Sequence, residues 1–316
     1  FLTAIDPYGH ELWRWTFPIN QLNQQTEQLS PLSSRPTYTE TENDLTVKAN
    51  KRTFIFSKKD GQLKGVSVDN RKISFANGPR FIGARRADRS LDQFYNHDDE
   101  KAKEKDRTYS EFPDAAVFTK LDVKQDGGDL IVTANYKLGN LDKAQWTINP
   151  SGDLALDYTY NFSGVVDLMG IRFDYPEDQV ISKRWLGAGP YRVWQNRIHG
   201  TQYDVWENDY NDPIPGETFT YPEFKGYFGD VSWMNIQTKE GTINLTNETP
   251  DAYIGVYQPR DGRDRLLYTL PESGISVLNV IPPVRNKVNS TDLCGPSSQP
   301  KWVNGPQTGR VIFRFM

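Results

Sequence analysis

The sequence predicts an all-β protein built as a large antiparallel sandwich, and three observations predict it. Aromatic residues are abundant, with 8 Trp, 16 Tyr and 16 Phe against 3 Met, a bias toward side chains that pack on pleated surfaces. The 20 prolines and 24 glycines are spread through all 316 residues, punctuating many short segments. Between residues 116 and 162, alternating apolar runs are separated by turn signals about every ten residues, the spacing of a sandwich rather than of an α/β fold.

Taken in order, Phe1 to Ile5 and Glu11 to Phe17 read as a hairpin around the turn Asp6-Pro7-Tyr8-Gly9. Leu12, Trp13, Trp15 and Phe17 are too apolar to stay exposed unless another module covers them. The chain opens in the middle of a strand pattern, so residues 1–20 are expected to be the remnant of a preceding domain. Residues 21–40, dominated by Gln, Asn, Ser, Thr and Pro, have linker composition without periodicity, which leaves 41–316 for the main domain. There, Leu45 to Ala49, Arg52 to Ser57 and Leu63 to Val68, the last two joined at Lys59-Asp60-Gly61, form a meander. Residues 88–113 break the pattern, since the charge-dense run from Asp98 to Arg107 has no apolar repeat at 3.6 residues.

Strand patterns resume at Ala116 to Lys124, Leu130 to Leu138, Lys143 to Ile148 and Leu154 to Phe162, with turns at Gly127-Gly128, Gly139-Asn140 and Pro150-Ser151-Gly152. Further on come Val231 to Gln237, Thr242 to Thr246, Ile254 to Gln258, Ile275 to Ile281 and Arg310 to Phe315. In the last, Val311, Phe313 and Phe315 alternate with Arg310, Ile312 and Arg314, as in a strand that closes a sheet. No internal repeat is present.

A net charge of -4 and a pI near 5.6 supply no global positive field for nucleic acid. The most basic run, Arg80 to Arg89, contains Asp88 and reads as a solvated or ion-paired face. The lone Cys294 excludes an intramolecular disulfide and a multi-cysteine zinc site, and no run reaches the length of a membrane span. Neither nucleic acid nor a membrane is an expected partner, and no cofactor or metal is expected.

Glycosidases set two carboxylates across the scissile bond, and Glu207, Asp209, Asp212, Glu217 and Glu223 are the acidic candidates, although Asp and Asn are ordinary loop chemistry. His10, His97 and His199 are scattered singly, each readable as a general base or as a surface histidine. HExxH, a phosphate-binding glycine loop and a Gly-x-Ser-x-Gly elbow are all absent. The aromatic set is the stronger signal. Trp185, Tyr191, Trp194, Tyr203, Trp206, Tyr210, Tyr221, Phe224, Tyr227 and Trp233 are interleaved with Asn, Asp, Gln and Arg, a mixture that suits a polyhydroxylated ligand. The alternative is that they fill the gap between two sheets. Residues 184–197 read as a glycine-hinged loop, with Tyr191 and Trp194 facing solvent or ligand.

Trp185-Leu186-Gly187-Ala188-Gly189-Pro190 followed by Asn196-Arg197 resembles a segment in the last domain of bacterial family-2 glycoside hydrolases of the β-galactosidase type. Asn50 to Ser57 with Asp60-Gly61-Gln62-Leu63 resembles the opening hairpin of that domain, Gly78-Pro79-Arg80-Phe81 through Arg86-Ala87 resembles its proline–arginine stretch, and Glu11-Leu12-Trp13-Arg14-Trp15 resembles the closing strand of the immunoglobulin-like domain before it. The resemblance implies a galactose-mutarotase-like antiparallel supersandwich, preceded by a terminal hairpin of an immunoglobulin-like domain. It implies that the catalytic glutamates lie in a TIM barrel that this chain lacks, so no catalytic residue is assigned here. The domain would cap that barrel and shape the carbohydrate cleft through Trp185, Tyr191, Arg192, Trp194, Asn196, Arg197, Gln299 and Trp302. Some members of the family lend a loop tryptophan to the galactose site, and this chain has Ser298 or Gln299 at that position, with Trp302 a few residues later. The histidines match no mutarotase acid–base pair. The expected partners are a β-galactoside or related oligosaccharide and the missing barrel, with a bacterial periplasmic or secreted location favoured over a cytoplasmic one. An autonomous carbohydrate-binding module and a self-sufficient lyase or epimerase are the alternatives.

Overall fold

The computed structural model describes residues 1–17, 34–86, 109–210, 226–256, 271–283 and 295–316. The run from Asp98 to Arg107, His97, Asp212, Glu217, Tyr221, Glu223, Phe224 and Cys294 lie outside the described residues. Those described form antiparallel strands, with single 3-10 turns at Glu177–Gln179 and Pro296–Ser298.

The strands are β1 (Leu2–Ile5), β2 (Glu11–Trp15), β3 (Thr37–Glu40), β4 (Asp44–Ala49), β5 (Arg52–Ser57), β6 (Leu63–Val68), β7 (Arg71–Ile73), β8 (Ala76–Arg86), β9 (Tyr109–Glu111), β10 (Val117–Asp126), β11 (Asp129–Lys137), β12 (Leu141–Ile148), β13 (Leu154–Val166), β14 (Leu168–Asp174), β15 (Val180–Gly189), β16 (Gln202–Asp209), β17 (Trp233–Thr238), β18 (Gly241–Asn247), β19 (Tyr253–Val256), β20 (Ile275–Val280) and β21 (Lys301–Phe315). Among the described residues β1 and β2 pair only with each other. One large sheet runs β10-β11-β12-β13-β21-β18-β17-β15-β16, and the other runs β19-β20-β14-β8-β6-β5-β4-β3, with β7 on β6 and β9 on β8.

Alternation builds the core between them. Leu130, Val132 and Ala134 of β11, Trp146 and Ile148 of β12, Leu156, Tyr158 and Tyr160 of β13, and Val311, Phe313 and Phe315 of β21 all point inward. They meet Leu45, Val47, Phe54, Phe56, Met169, Ile171 and Phe173 of the opposite sheet. Phe173 is the hub. Its ring stacks on Phe75 at 4.8 Å and stands edge-on to Phe313 at 5.3 Å and to Trp146 at 6.1 Å.

The turn between β12 and β13 is tied to both sheets. Asp153 accepts two bonds from Arg314 (2.7 and 2.8 Å), and Arg52 of β5 donates to the carbonyls of Ser151 and Phe315, each at 2.6 Å. Burial opposes ionisation of Asp153, but the bonds and charge of Arg314, the Asn149 amide and the charge of Arg52 outweigh it and hold the carboxyl below its ordinary value of 3.8. Because the folded value lies below the unfolded one, this stabilisation is present in full above the unfolded value and is lost as pH falls through the folded one. Asp153→Asn is expected to flatten the acid limb of stability against pH below about pH 4. Urea midpoints across pH check it, and a variant with the parent's acid limb would show that Asp153 contributes nothing there.

The strand positions expected from 45–68, 116–162, 231–246 and 310–315 are found. Two readings are corrected. Residues 184–189, read as loop, are the second half of β15, held on one side by β16 and on the other by β17. Residues 205–209 of the acidic stretch, whose Asp and Asn read as loop chemistry, lie in β16, an edge strand on which Glu207 and Asp209 are exposed. The basic run from Arg80, read as a solvated or ion-paired face, begins inside β8, between β14 and β6, and Arg80 is ion-paired there with Asp174. β3 also lies within the stretch of linker composition, and all its side chains are exposed.

Candidate functional site

The ten-stranded sheet is apolar on both faces in its centre. Phe81, Met169 and Val277 enter the main core, while their neighbours Ile82, Leu168 and Leu278 turn outward to a second cluster with Ala84, Tyr109, Ile281, Val193, Trp194 and Tyr227. The segment after β15 lies over this outer cluster. Val193 and Tyr227 exchange backbone bonds of 2.7 and 2.8 Å, and Trp194 and Arg197 close a tight turn.

This packing decides which sequence-predicted residues stay available. Trp185 is 0% exposed, bonded through Nε1 to the Ala188 carbonyl at 3.0 Å and edge-on to Phe228 at 4.8 Å. Trp194 is 2% exposed and edge-on to Tyr227 at 5.7 Å. Neither indole offers a face to a sugar, which corrects the reading of Trp194 as outward-facing; both rings already have aromatic partners. Arg192 is buried too, its guanidinium 5.7 Å from the centre of the Phe228 ring. Burial pushes its pKa down to about 10, so it remains a cation at neutral pH.

Tyr191 and Asn196 are half-buried and Arg197 is exposed. Gln195, which the sequence did not single out, connects this segment to the other candidate loop. Its Nε2 donates to the carbonyls of Ser297 (2.9 Å) and Gln299 (2.7 Å), and its backbone N–H donates to Pro282 at 3.1 Å. Beyond the 3-10 turn at Pro296–Ser298 the chain enters β21 opposite Val165, where Trp302 is 71% exposed. The structure therefore joins 191–197 to 295–302 through one amide, with Trp302 as the open aromatic surface.

The acid–base candidates do not gather here. Glu207 and Asp209 are exposed on β16, Glu207 lying 4.0 Å from Arg184. His199 is exposed in the turn after Arg197, and His10 sits in the hairpin, 3.0 Å from Asp6. Among the described residues, no cluster of three His, Cys, Asp or Glu side chains is placed to hold a metal ion. A separate open cleft of about 600 Å³ lies at the opposite end of β8 and β14, lined by Arg80, Arg172 and Asp174 with polar neighbours. Sequence reasoning missed it because its walls come from distant strands.

Two broad antiparallel sheets packed face to face, with long loops tied together at one end, make this a large β-sandwich domain. Residues 48–283 match the family model described as beta galactosidase small chain, and the chain belongs to that family, the C-terminal region of β-galactosidase-type enzymes. It is thereby a carbohydrate-active domain. No curated protein matches the chain. Among solved structures it is similar to galactose 1-epimerase from Lactobacillus acidophilus NCFM, with 9% identity and a TM-score of 0.46 over 90% of this chain and 99% of that one. It is also similar to a galactose mutarotase-like protein from Lactobacillus casei ATCC 334 (11% identity, TM-score 0.36, 89% of this chain and 100% of that one). An Aspergillus nidulans amine oxidase shows 9% identity and a TM-score of 0.35 over 98% of this chain and 56% of its own. Likenesses this loose carry no argument about activity.

Proposed function

We propose that the chain is the C-terminal sandwich of a family-2 glycoside hydrolase that acts on β-galactosides or related oligosaccharides, capping the catalytic barrel and shaping the rim of its cleft without being catalytic alone. The observation that carries this reading is the Gln195 link between two loops beside the exposed Trp302. In this reading Tyr191, Asn196, Arg197, Gln299 and Trp302 form one rim. In this reading residues 1–20 end an immunoglobulin-like domain and 21–40 connect it to the sandwich. The exposed Leu12, Trp13 and Trp15 of the hairpin are then the surface that such a domain would cover.

The test is turnover of a panel of nitrophenyl glycosides by the 316-residue chain and by the same chain fused to its natural upstream sequence. Only the longer protein is expected to turn substrate over. In it, Trp302→Ala is expected to raise KM more than it lowers kcat, by about the 0.5–1.5 kcal/mol of one aromatic contact. Turnover by the 316-residue chain alone would replace this reading with that of a self-sufficient enzyme.

A further inference from the structure

The cleft at the far end of β8 and β14 has no part in the rim just described. Arg80 and Arg172 are direct partners across these two strands, and like charges placed directly opposite destabilise a sheet unless an anion lies between them. Part of that need is met within the chain. Asp174 pairs with Arg80 and takes the Asn77 amide at 2.9 Å, and Arg172 donates to the Glu272 carbonyl. Asp114 lies within electrostatic reach of both arginines.

The lining also holds Lys64, 2.9 Å from Asp44, and Lys72, which is exposed and pairs with no carboxylate among the described residues. Of the four cations in the lining, Lys64 pairs with Asp44 and Arg80 with Asp174, whereas Lys72 and Arg172 form no ion pair among the described residues. The floor is fixed, because Glu240 accepts from the Ser74 backbone (2.8 Å) and hydroxyl (2.6 Å) and from Tyr175 (3.0 Å). The volume, about 600 Å³, lies within the range of small-ligand sites, and Lys72 and Arg172 are the cations of its lining left to meet an anion.

We propose that this cleft binds an oxyanion, a carboxylate or sulfate carried by an acidic sugar or supplied as the free anion, with Arg172 and Lys72 as its principal contacts. Arg172 provides the planar donor fork that suits carboxylate and sulfate, and Lys72 adds a mobile point charge. The inference does not depend on the barrel-capping reading.

The experiment is a titration of the 316-residue chain with galacturonate, galactose 6-sulfate, sodium sulfate and galactose at constant ionic strength, followed by amide chemical shifts. Saturable shifts confined to residues 72–80 and 172–175 are expected with the anions, and none with galactose. Lys72→Gln and Arg172→Gln are each expected to weaken anion binding, by about tenfold for the arginine. Lys72→Gln lies on the surface and leaves the core intact, so the test stands even where the arginine variant misfolds. Acidic sugars binding more tightly than sulfate would identify a saccharide-borne group, and equal affinity would identify the free anion. Galactose binding as well as galacturonate, shifts lying elsewhere, or unchanged affinity in Lys72→Gln would overturn the proposal.

Discussion

Phe173→Ala is expected to cost about 3–5 kcal/mol of stability, the range for deleting a large buried ring whose site cannot collapse. Collapse is resisted from both sheets. Phe75 and Phe313 lie 4.8 and 5.3 Å from the ring centre, and Trp146 approaches from β12. On the near side Gly78 has no side chain to advance into the void; even a Cβ there would lie 2.3 Å from the Phe173 ring. The urea midpoint followed by far-UV circular dichroism, with unchanged slope, measures the loss. Trp302→Ala is the control, expected within about 0.5 kcal/mol of the parent because that side chain is on the surface. A loss below about 1 kcal/mol for Phe173→Ala, small for any core truncation, would mean the two sheets are not held together at this hub.

The second large effect is expected at Gly226. A methyl group there would lie 2.0 Å from the carbonyl oxygen of Val193 and 2.6 Å from its carbon. These are backbone atoms fixed by the paired bonds between Val193 and Tyr227. Gly226→Ala must therefore push the 191–197 segment off the outer apolar cluster, at about the 1–3 kcal/mol typical of overpacking. The displacement has its own signature. Amide exchange at Val193 and Tyr227 should accelerate, and tryptophan emission should shift to the red as Trp194 loses Tyr227. Native exchange and emission in the variant would mean that the segment absorbs the methyl group without moving.

The sequence showed strands clearly wherever one face is buried and the other wet. β4, β5, β11, β12, β13 and β21 follow this rule, and their inward residues were readable by alternation alone. β8 and β14 were not readable, because the sheet they share is covered on both sides: Leu168 to Ile171 is a continuous apolar run, and β8 mixes Gly, Pro and Arg with Phe and Ile. β15 was obscured by Gly187 and Gly189, which read as hinges. Gly189 is needed there because a Cβ would strike the Trp206 ring. Edge strand β16 has the polar composition of a loop. Composition also could not separate packed aromatics from open ones, since Trp194 is covered by side chains distant in sequence, Tyr227, Leu168 and Leu278 among them, while Trp302 is not. The same holds for the charged cleft, where Arg80 and Arg172 become neighbours only through the β8–β14 pairing.

The placement of β21 has a kinetic consequence. It lies between β13 and β18, pairing Leu154 with Phe313 on one side and Ile243 with Phe315 on the other. Without it the other eight strands are two separate ribbons, β10 to β13 and β15 to β18. Pairing with β13 requires a very long loop to close, so the entropy of that closure falls on a single late step. Until then both ribbons expose an unpaired edge beside a half-covered core, at β13 and at β18, which is the surface most open to pairing with another chain. An encounter with another chain before β21 docks is therefore the hazard that this strand order carries.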